Sequence, residues 1–317
     1  MKEINNSEKF KINNPVITSG TFDGLHLGHQ KVISHTIKIA RENNGTPVIL
    51  TFWPHPRLVL RKGNFNLINT FEEKNQIFKD LGVEHVYYQK FTPEFAQLSS
   101  EEYVRTLLVE KFGVHTLVVG YDHQFGKERT GKFETLGDLA LKYGFALEKV
   151  DALNVNSLSV SSTKIRNLIE KGSVCESNEM LGYDYYMEGK VVEGHKIGHK
   201  LGFPTANILL SDAKKLIPGD GVYAVYAKVN EGIYKGVLSI GFRPTFPDQL
   251  HERSIEVHLF GFSQNIYNTP VSVYFIKKLR EEIKFNTVDD LISQMHLDKE
   301  NAKTMLTGRP KFPDKLM

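Results

Sequence analysis

The stretch GTFDGLHLGHQ, residues 20–30, decides the fold of the first half of the chain. The apolar residues 16–18 before it predict a buried strand. After it, apolar side chains recur at helical spacing at Val32, Ile33, Ile37 and Ala40. His26 and His29 therefore lie on a glycine-rich turn between a strand and the start of a helix. Backbone N–H groups and the positive end of a helix dipole meet there, so the turn predicts a phosphate site.

The two histidines form a His-x-Gly-His motif, which resembles the signature of nucleotidylyltransferases that attack the α-phosphorus of ATP. Two other interpretations stay open for the motif alone. Histidines three residues apart can bind a metal ion, or both can be ordinary loop residues.

The composition is that of a globular protein with more than one domain. The 317 residues exceed one typical domain, so we expect two. A formal net charge of +3 does not require nucleic acid or an anionic membrane as a partner. The single cysteine, Cys175, excludes an internal disulfide and indicates the reducing cytoplasm. The polar N-terminus predicts no signal peptide, and no apolar run reaches the length of a membrane helix.

Strands and helices alternate in the first half of the sequence. Apolar runs predict buried parallel strands at residues 16–18, 48–52, 83–88 and 117–119. Capping-box pairs predict helix starts at Thr70 with Glu73 and at Ser99 with Glu102. Glycines predict helix ends at Gly82, Gly113 and Gly144. This alternation predicts a doubly wound, Rossmann-like α/β sheet, in which ligands bind beyond the carboxyl ends of the strands.

After about residue 181 the pattern changes to short segments rich in β-branched and aromatic residues. These segments lie at residues 221–229, 234–240, 254–259 and 271–276. We interpret them as antiparallel sheet that forms a small β-barrel. Thr287, with Asp290 three residues later, predicts a final helix that covers one face of the barrel. The predicted domains are residues 1–181 and 182–317.

Three further motifs in the first half follow predicted strands or open a helix. TFWPHP, residues 51–56, holds His55 between two prolines. VVGYDHQFG, residues 118–126, contains Asp122, whose carboxylate can reach a ribose hydroxyl or an adenine edge. SSTKIR, residues 161–166, brings hydroxyls and a guanidinium to a helix start, which suits a triphosphate. Taken singly, these are also ordinary loop, turn and helix-cap residues.

A glycine-rich segment, GKERTGKF at residues 126–133, comes within one residue of a P-loop. Phe133 replaces the hydroxyl that would bind Mg²⁺, and Gly126 does not directly follow a strand. We interpret the segment as a basic substrate loop.

Together these motifs resemble the adenylyltransferase module of bacterial bifunctional riboflavin kinase/FAD synthetases. That module joins FMN to the AMP part of ATP and releases pyrophosphate. The resemblance implies that His26 and His29 stabilise the triphosphate as charge builds on it. It implies phosphate contacts from Ser162, Thr163 and Arg166, nucleotide or flavin contacts from Asp122, and a flavin-side position for His55. The nucleotide-binding turn is expected to comprise Gly20, Phe22, Asp23, Gly24 and Gly28. Positioning and electrostatic stabilisation suffice for such a transfer, without a covalent enzyme intermediate.

The second half carries GKVVEGHKIGHKLGFPTAN, residues 189–207. Glycines recur at every fourth position in this polar setting and predict a phosphate-covering loop with Gly194, Gly198 and Gly202. The segment then offers the Thr205 hydroxyl and the Asn207 amide oxygen, which are hard ligands suited to Mg²⁺.

The strand at residues 254–259 carries Glu256 and His258 on one face, because side chains alternate along a strand. If Ile255 and Val257 pack outward under the covering helix, Glu256 points into the barrel. A carboxylate there can accept the proton of an attacking hydroxyl. The open alternative is a solvent-facing strand carboxylate.

Four segments of the second half resemble the riboflavin kinase module of the same proteins. They are PTAN (204–207), PGDGVYAV (218–225), IGFRPTF (240–246) and IEVHLF (255–260). The resemblance implies that Thr205 and Asn207 bind Mg²⁺-nucleotide, that Glu256 is the base for the ribityl 5′-hydroxyl, and that Arg243 steadies the flavin. The sequence departs from the family pattern at Trp53 and His123, beside the motifs of the first module, and at Ser239 and Gly261 in the second.

The resemblance covers residues 12–310 and predicts a cytoplasmic enzyme that makes FMN from riboflavin and then FAD from FMN. ATP is the expected co-substrate and Mg²⁺ the expected metal of both reactions, with no nucleic-acid, membrane or obligate protein partner. Two alternatives are an enzyme with one inactive module and a flavin-binding regulatory protein without turnover. The presence of Glu256 and of the histidine pair argues against both.

Overall fold

The computed structural model describes residues 2–4, 12–60, 63, 65–121, 125–127, 131, 133–155, 158–194, 198, 201–242 and 253–313. The chain forms two compact units that are interleaved along the sequence. The first unit comprises Met1–Phe65, Lys74–Ser161 and Pro313–Met317, and the second comprises Asn66–Glu73 and Ser162–Phe312.

The first unit is built on a six-stranded parallel sheet. Its strands are β1 (Lys2–Ile4), β2 (Pro15–Gly20), β3 (Thr46–Trp53), β4 (His85–Lys90), β5 (Thr116–Gly120) and β6 (Ala146–Val150). Their spatial order is β1-β4-β3-β2-β5-β6, and each neighbouring pair is parallel. The order changes direction between β2 and β5, which is the switch point where open α/β sheets bind ligands. The turn after β2, residues 21–26, therefore begins at the switch point.

Helices cover both faces of this sheet. They are α1 (Leu27–Glu42), α2 (Pro56–Val59), α3 (Phe71–Asp80), α4 (Ser100–Tyr103), which continues as a π-helix over Val104–Lys111, and α5 (Phe133–Tyr143). On one face of the sheet, Val16 packs with Ala40 of α1. On the other face, Ile17 packs in a cluster with Leu107 and Leu139. The doubly wound α/β prediction is confirmed.

Local signals set the helix ends as predicted. In the Ser99 capping box, the Glu102 amide donates to Ser99 Oγ and the Ser99 amide donates to the Glu102 carboxylate. The same reciprocal pair joins Thr70 and Glu73. The three predicted helix-ending glycines all have positive φ, and they are Gly82, Gly113 and Gly144.

The second unit is a closed antiparallel barrel with helices beside it. Its strands are β9 (Tyr186–Val192), β10 (Ala206–Leu210), β11 (Gly221–Val229), β12 (Gly232–Phe242), β13 (Arg253–Leu259) and β14 (Pro270–Arg280). Strands β7 (Asn154–Val155) and β8 (Leu158–Ser159) precede them along the chain and form a small hairpin in the first unit. The barrel closes in the order β10-β13-β12-β11-β14-β9. The helices of this unit are α6 (Ser162–Glu170), α7 (Val174–Leu181) and α8 (Val288–Met305). Thr287 caps α8 by accepting from the Asp290 amide, and α8 packs against β11, β12 and β14, as predicted.

A segment from the first half of the sequence, Asn66–Glu73, completes the barrel unit. The Leu67 amide donates to Lys214 O at 2.7 Å, and the Leu216 amide donates to Leu67 O at 2.8 Å. Lys215 and Glu73 form an ion pair in which the two side chains are 1% and 0% exposed. The Lys215 ammonium also donates to Ile68 O at 2.7 Å. These bonds hold the segment in the barrel unit. The buried ion pair is tolerated because further hydrogen bonds satisfy its charged groups.

Candidate active sites

The predicted histidine motif lies at the start of α1, beyond the carboxyl end of β2. His26 is the N-cap residue, and its Nδ1 accepts a hydrogen bond from the His29 amide at 3.3 Å. The two imidazole rings stack with centroids 3.6 Å apart and planes 14° apart. The Phe22 ring packs edge-on against His29 at 5.3 Å. The turn therefore presents two adjacent rings at the positive end of a helix dipole.

The glycines of the motif are required by close packing. A Cβ on Gly28 would lie 3.2 Å from the Cε1 and Nδ1 atoms of His26. A Cβ on Gly20 would lie 3.2 Å from the Phe22 ring. Gly24 has φ +87°, and Phe22 itself adopts φ +46°. The turn thus brings the predicted residues Gly20, Phe22, Asp23, Gly24 and Gly28 together with the histidines.

Both histidines have pKa values below the usual range of imidazole. Burial lowers the pKa of His26 to about 4. Burial, followed by the charges of His26 and Lys74, holds the pKa of His29 well below its usual value. Because Nδ1 of His26 accepts a hydrogen bond, the proton of the neutral ring is on Nε2. Nδ1 of His29 is buried and has no hydrogen-bond partner within the described ranges.

A buried lysine next to this turn was missed from the sequence. Lys74 is 3% exposed, and its ammonium donates to Thr21 O at 2.5 Å and to Thr51 Oγ1 at 3.0 Å. Burial lowers its pKa to about 8, and the Asp23 carboxylate opposes that shift. Helical spacing could have revealed this burial, because Lys74 precedes the buried Ile77 by three positions and therefore lies on the same face of the helix.

His55 lies just after β3, as the TFWPHP motif predicts. It caps α2 by accepting from the Arg57 amide at 3.1 Å, and it is 8% exposed. Its ring stacks on Phe65 at 4.5 Å, and the Arg57 guanidinium lies 4.5 Å from the same phenyl ring. His55 is thus part of an aromatic and cationic cluster.

The SSTKIR motif opens α6 in the second unit. Ser162 and Thr163 are its first two residues. The Arg166 guanidinium is buried, and it donates from Nε to Asn66 O at 3.2 Å and from Nη1 to Ser162 O at 3.4 Å. Arg166 thus ties the start of α6 to the Asn66–Glu73 segment. Asp122 and Arg243 lie outside the described residues.

The predicted kinase residues meet where β10 and β13 pair. The Thr205 hydroxyl donates to Glu256 Oε2 at 3.1 Å. Asn207 lies directly opposite Glu256 in the register of the two strands, so their side chains share a face. A Cβ on Gly194 would lie 2.0 Å from Asn207 Nδ2, and one on Gly198 would lie 3.2 Å from Thr205 Oγ1.

Gly202, the third glycine of the loop, has φ +82° and open space around it. It is needed for its backbone conformation, because few other residues adopt such a φ without strain. Gly194 and Gly198 therefore allow close approach to their neighbours, and Gly202 allows a left-handed turn.

Glu256 points away from the barrel interior, so the condition under which it would point inward is not met. Ile255 and Val257 are buried, and their cross-strand partners Ile240 and Leu238 are 0% exposed, so this apolar face lines the barrel interior. Glu256 lies on the opposite, outer face, which is partly exposed. Among the apolar interior side chains an ionised carboxylate would lose its hydration without compensation, whereas the outer face leaves it accessible.

His258 shares the outer face with Glu256. Its Nδ1 lies 2.9 Å from Pro204 O, and its ring packs on Phe203 at 5.3 Å. Phe203 in turn contacts His296 of α8 at 4.9 Å. Burial lowers the pKa of His258, so the neutral ring donates its Nδ1–H to the carbonyl that precedes Thr205. His258 thereby anchors the segment that carries Thr205 and Asn207.

This donor set fits Mg²⁺ that arrives with nucleotide phosphates. Thr205, Asn207 and Glu256 supply a hydroxyl, an amide and a carboxylate in one place. Within the described ranges, no three His, Cys, Asp or Glu side chains gather as a metal site. Mg²⁺ commonly takes one or two protein oxygens and completes its shell with phosphates and water.

Both halves of the chain match known families. Residues 9–164 match the family model described as FAD synthetase, and residues 181–306 match the model described as riboflavin kinase. A bifunctional riboflavin kinase/FMN adenylyltransferase of Bacillus subtilis is 38% identical over 291 residues, which cover 90% of this chain and 91% of that protein. One from Escherichia coli K12 is 30% identical over 290 residues, which cover 91% of each chain.

A solved structure shares the fold over nearly the whole length. It is described as a macrolide-efflux protein from Streptococcus pneumoniae, with a TM-score of 0.85 and 30% identity over 95% of this chain and 98% of that one. In the part of this chain that the structure describes, no helix is long and apolar enough to cross a membrane.

Proposed function

The chain belongs to the bifunctional riboflavin kinase/FMN adenylyltransferase family, and on that premise we propose how its residues carry out the two reactions. The second half phosphorylates riboflavin with ATP to give FMN. The first half adenylylates FMN with ATP to give FAD and pyrophosphate. We assign the two activities to residues 1–181 and 182–317. The observation that carries the proposal is that Thr205, Asn207 and Glu256 meet at one strand pair, apart in sequence from the His26 turn.

In the kinase reaction, Glu256 is the general base. The ribityl 5′-oxygen forms a bond to the γ-phosphorus of ATP, the bond from that phosphorus to the bridging oxygen breaks, and ADP leaves. Glu256 accepts the hydroxyl proton, because its carboxylate lies on the accessible outer face beside the phosphate ligands. Thr205 and Asn207 would hold Mg²⁺, which when bound would neutralise phosphate charge. Gly194 and Gly198 leave room beside Asn207 and Thr205, and Gly202 supplies a left-handed turn.

In the adenylyl transfer, a phosphate oxygen of FMN bonds to the α-phosphorus of ATP, and the bond to the bridging oxygen breaks to release pyrophosphate. His26 donates from Nε2 toward phosphate oxygens, since its Nδ1 is already occupied by the His29 amide. His29 stacks on His26 and acts beside it. The free backbone N–H groups at the start of α1 bind further phosphate oxygens.

The remaining site roles are proposals from the family resemblance. Ser162, Thr163 and Arg166 contact phosphates, and Asp122 contacts nucleotide or flavin. His55 and Arg243 contribute on the flavin side. Mg²⁺ is proposed for both reactions. The single cysteine supports the cytoplasm as the compartment, and we expect no nucleic-acid, membrane or obligate protein partner.

A time course with riboflavin, ATP and Mg²⁺, with flavins resolved by chromatography, tests the proposal. FMN should rise first and FAD should follow, with pyrophosphate released in step with FAD. FMN alone would contradict the assignment of the first half. Flavin binding without any product would contradict both assignments and favour a regulatory protein.

A further inference from the structure

The adenylyl-transfer site has to accept a triphosphate, yet burial disfavours the charged form of both its histidines. Burial holds the pKa of both rings well below neutral pH. The backbone amides and the helix dipole of α1 contribute only partial charges. A side chain that carries a full positive charge near this turn would add to what Arg166 and Mg²⁺ are proposed to supply.

Lys74 supplies a cation in the right place. Its ammonium donates to Thr21 O at 2.5 Å and to Thr51 Oγ1 at 3.0 Å, so it links the turn after β2 to β3. Thr21 is the first residue of the turn that ends at His26. The charge of Lys74 is felt at His29, whose pKa it lowers further.

The surroundings of Lys74 are unusual for a merely structural lysine. Both hydrogen-bond partners are neutral oxygens, and the side chain is 3% exposed. A buried ammonium with no ion-pair partner in contact among the described residues is costly, and a neutral donor could serve Thr21 O at less cost. The charged group that acts on Lys74 is Asp23 in the turn, and the charge of Lys74 in turn acts on His29 of α1.

We propose that Lys74 is a positioning residue for adenylyl transfer: its ammonium fixes the turn from Thr21 to His26 and keeps a positive charge beside the triphosphate site. As the bond to pyrophosphate breaks, negative charge grows on the leaving phosphates. A fixed cation in a site shielded from water stabilises that charge without reorganising. This inference rests on the proposed adenylyltransferase function of the first half.

The test compares Lys74→Met and Lys74→Arg with the wild-type enzyme in FAD formation from supplied FMN. Methionine keeps the apolar stem and removes the charge, whereas arginine keeps the charge. We expect the Met variant to lose about 100-fold in kcat, with KM for ATP changed less than about threefold, since a transition-state interaction is removed. The Arg variant should recover at least about tenfold of that loss, because it restores the positive charge.

The riboflavin kinase rate of the same preparations serves as the internal reference for folding, and it should stay within about twofold of wild type. The pH profile gives a second measurement. Wild-type kcat/KM for FAD formation should fall as pH rises through about 8, where Lys74 loses its proton, and the Arg variant should lack this decline.

Three results would overturn the inference: wild-type kcat in the Met variant, an Arg variant no better than the Met variant, or a wild-type profile that stays flat above pH 8. A wild-type enzyme that forms FMN but no FAD would instead refute the proposed function of the first half. The two failures are therefore distinguishable.

Discussion

Replacing Gly194 with alanine should disable the kinase reaction alone. An alanine Cβ at this position would lie 2.0 Å from Asn207 Nδ2 and 2.6 Å from Asn207 Cγ. Ordinary contact begins at 3.4 Å, so the amide has to move by about 1.4 Å. Asn207 is the proposed ligand of Mg²⁺-ATP and lies opposite Glu256. The displacement therefore reaches the phosphate-binding atoms directly.

The size of the effect follows from this displacement. A shift of about 1 Å in a positioning group costs roughly 100-fold in rate, which corresponds to about 2.7 kcal/mol of transition-state stabilisation. The amide can escape by rotating away from its preferred rotamer, at a cost of about 0.5–1.5 kcal/mol in folding stability. Activity should thus fall much further than the free energy of unfolding.

The assay measures FMN formation from riboflavin at several concentrations of ATP and Mg²⁺. FAD formation from supplied FMN by the same preparation reports on the other site and should be unchanged. Gly308→Ala is the matched control in the same unit, because a Cβ there meets nothing within 4 Å and the hydrogen bond from its amide to the Tyr226 hydroxyl is kept. A wild-type kinase rate in the Gly194 variant, or an equal loss of both activities, would refute the reasoning.

Four further outcomes are expected. Glu256→Gln should lower FMN formation by about 100-fold or more while FAD formation from supplied FMN persists, because the base is lost. His29→Ala should do the reverse, with a loss of about 100-fold or more in FAD formation measured as pyrophosphate release. In urea unfolding, the free energy of unfolding should fall as pH drops from 6.5 toward 4, because His26 binds a proton in the unfolded chain but not when it is buried in the folded protein. In a His26→Asn variant, the free energy of unfolding should depend less steeply on pH. Lys215→Met should destabilise the protein by about 3–5 kcal/mol in the same assay, because it leaves Glu73 buried without its ion-pair partner. The double variant with Lys215→Met and Glu73→Gln should recover part of that lost stability.

Much of the fold could be predicted because its signals are local. Strands buried on both faces, such as β2 and β5, carry uninterrupted apolar runs, and the capping boxes mark helix starts within four residues. β6 was missed because it lies at the sheet edge, where only one of its five residues is buried and no apolar run is needed. The interleaving of the two units depends on contacts such as Glu73 with Lys215, 142 positions apart, which no local pattern carries.

The site residues, too, could be predicted where their contacts are local in sequence and were missed where the contacts are distant. The histidine turn is visible in the sequence because its rings and glycines contact one another within nine residues. Lys74 was missed because its partner Thr21 is 53 positions away, and a lysine in a helix ordinarily faces solvent. Alternation along β13 assigned Glu256 and Ile255 to opposite faces but could not say which face lines the barrel. The buried cross-strand partners of Ile255 and Val257 show that their face lines the barrel, so Glu256 lies on the outer face.

The interleaved segment also bears on how the protein is made. Residues Asn66–Glu73 leave the ribosome long before Lys215, whose ammonium Glu73 needs. At about 5–20 residues per second, the 142 intervening residues take roughly 7–28 s to synthesise. Through that interval the nascent first half holds a segment whose docking partner does not yet exist. The barrel unit cannot complete itself during early translation, and a gene cut into two separately expressed halves would sever a carboxylate from its counter-ion.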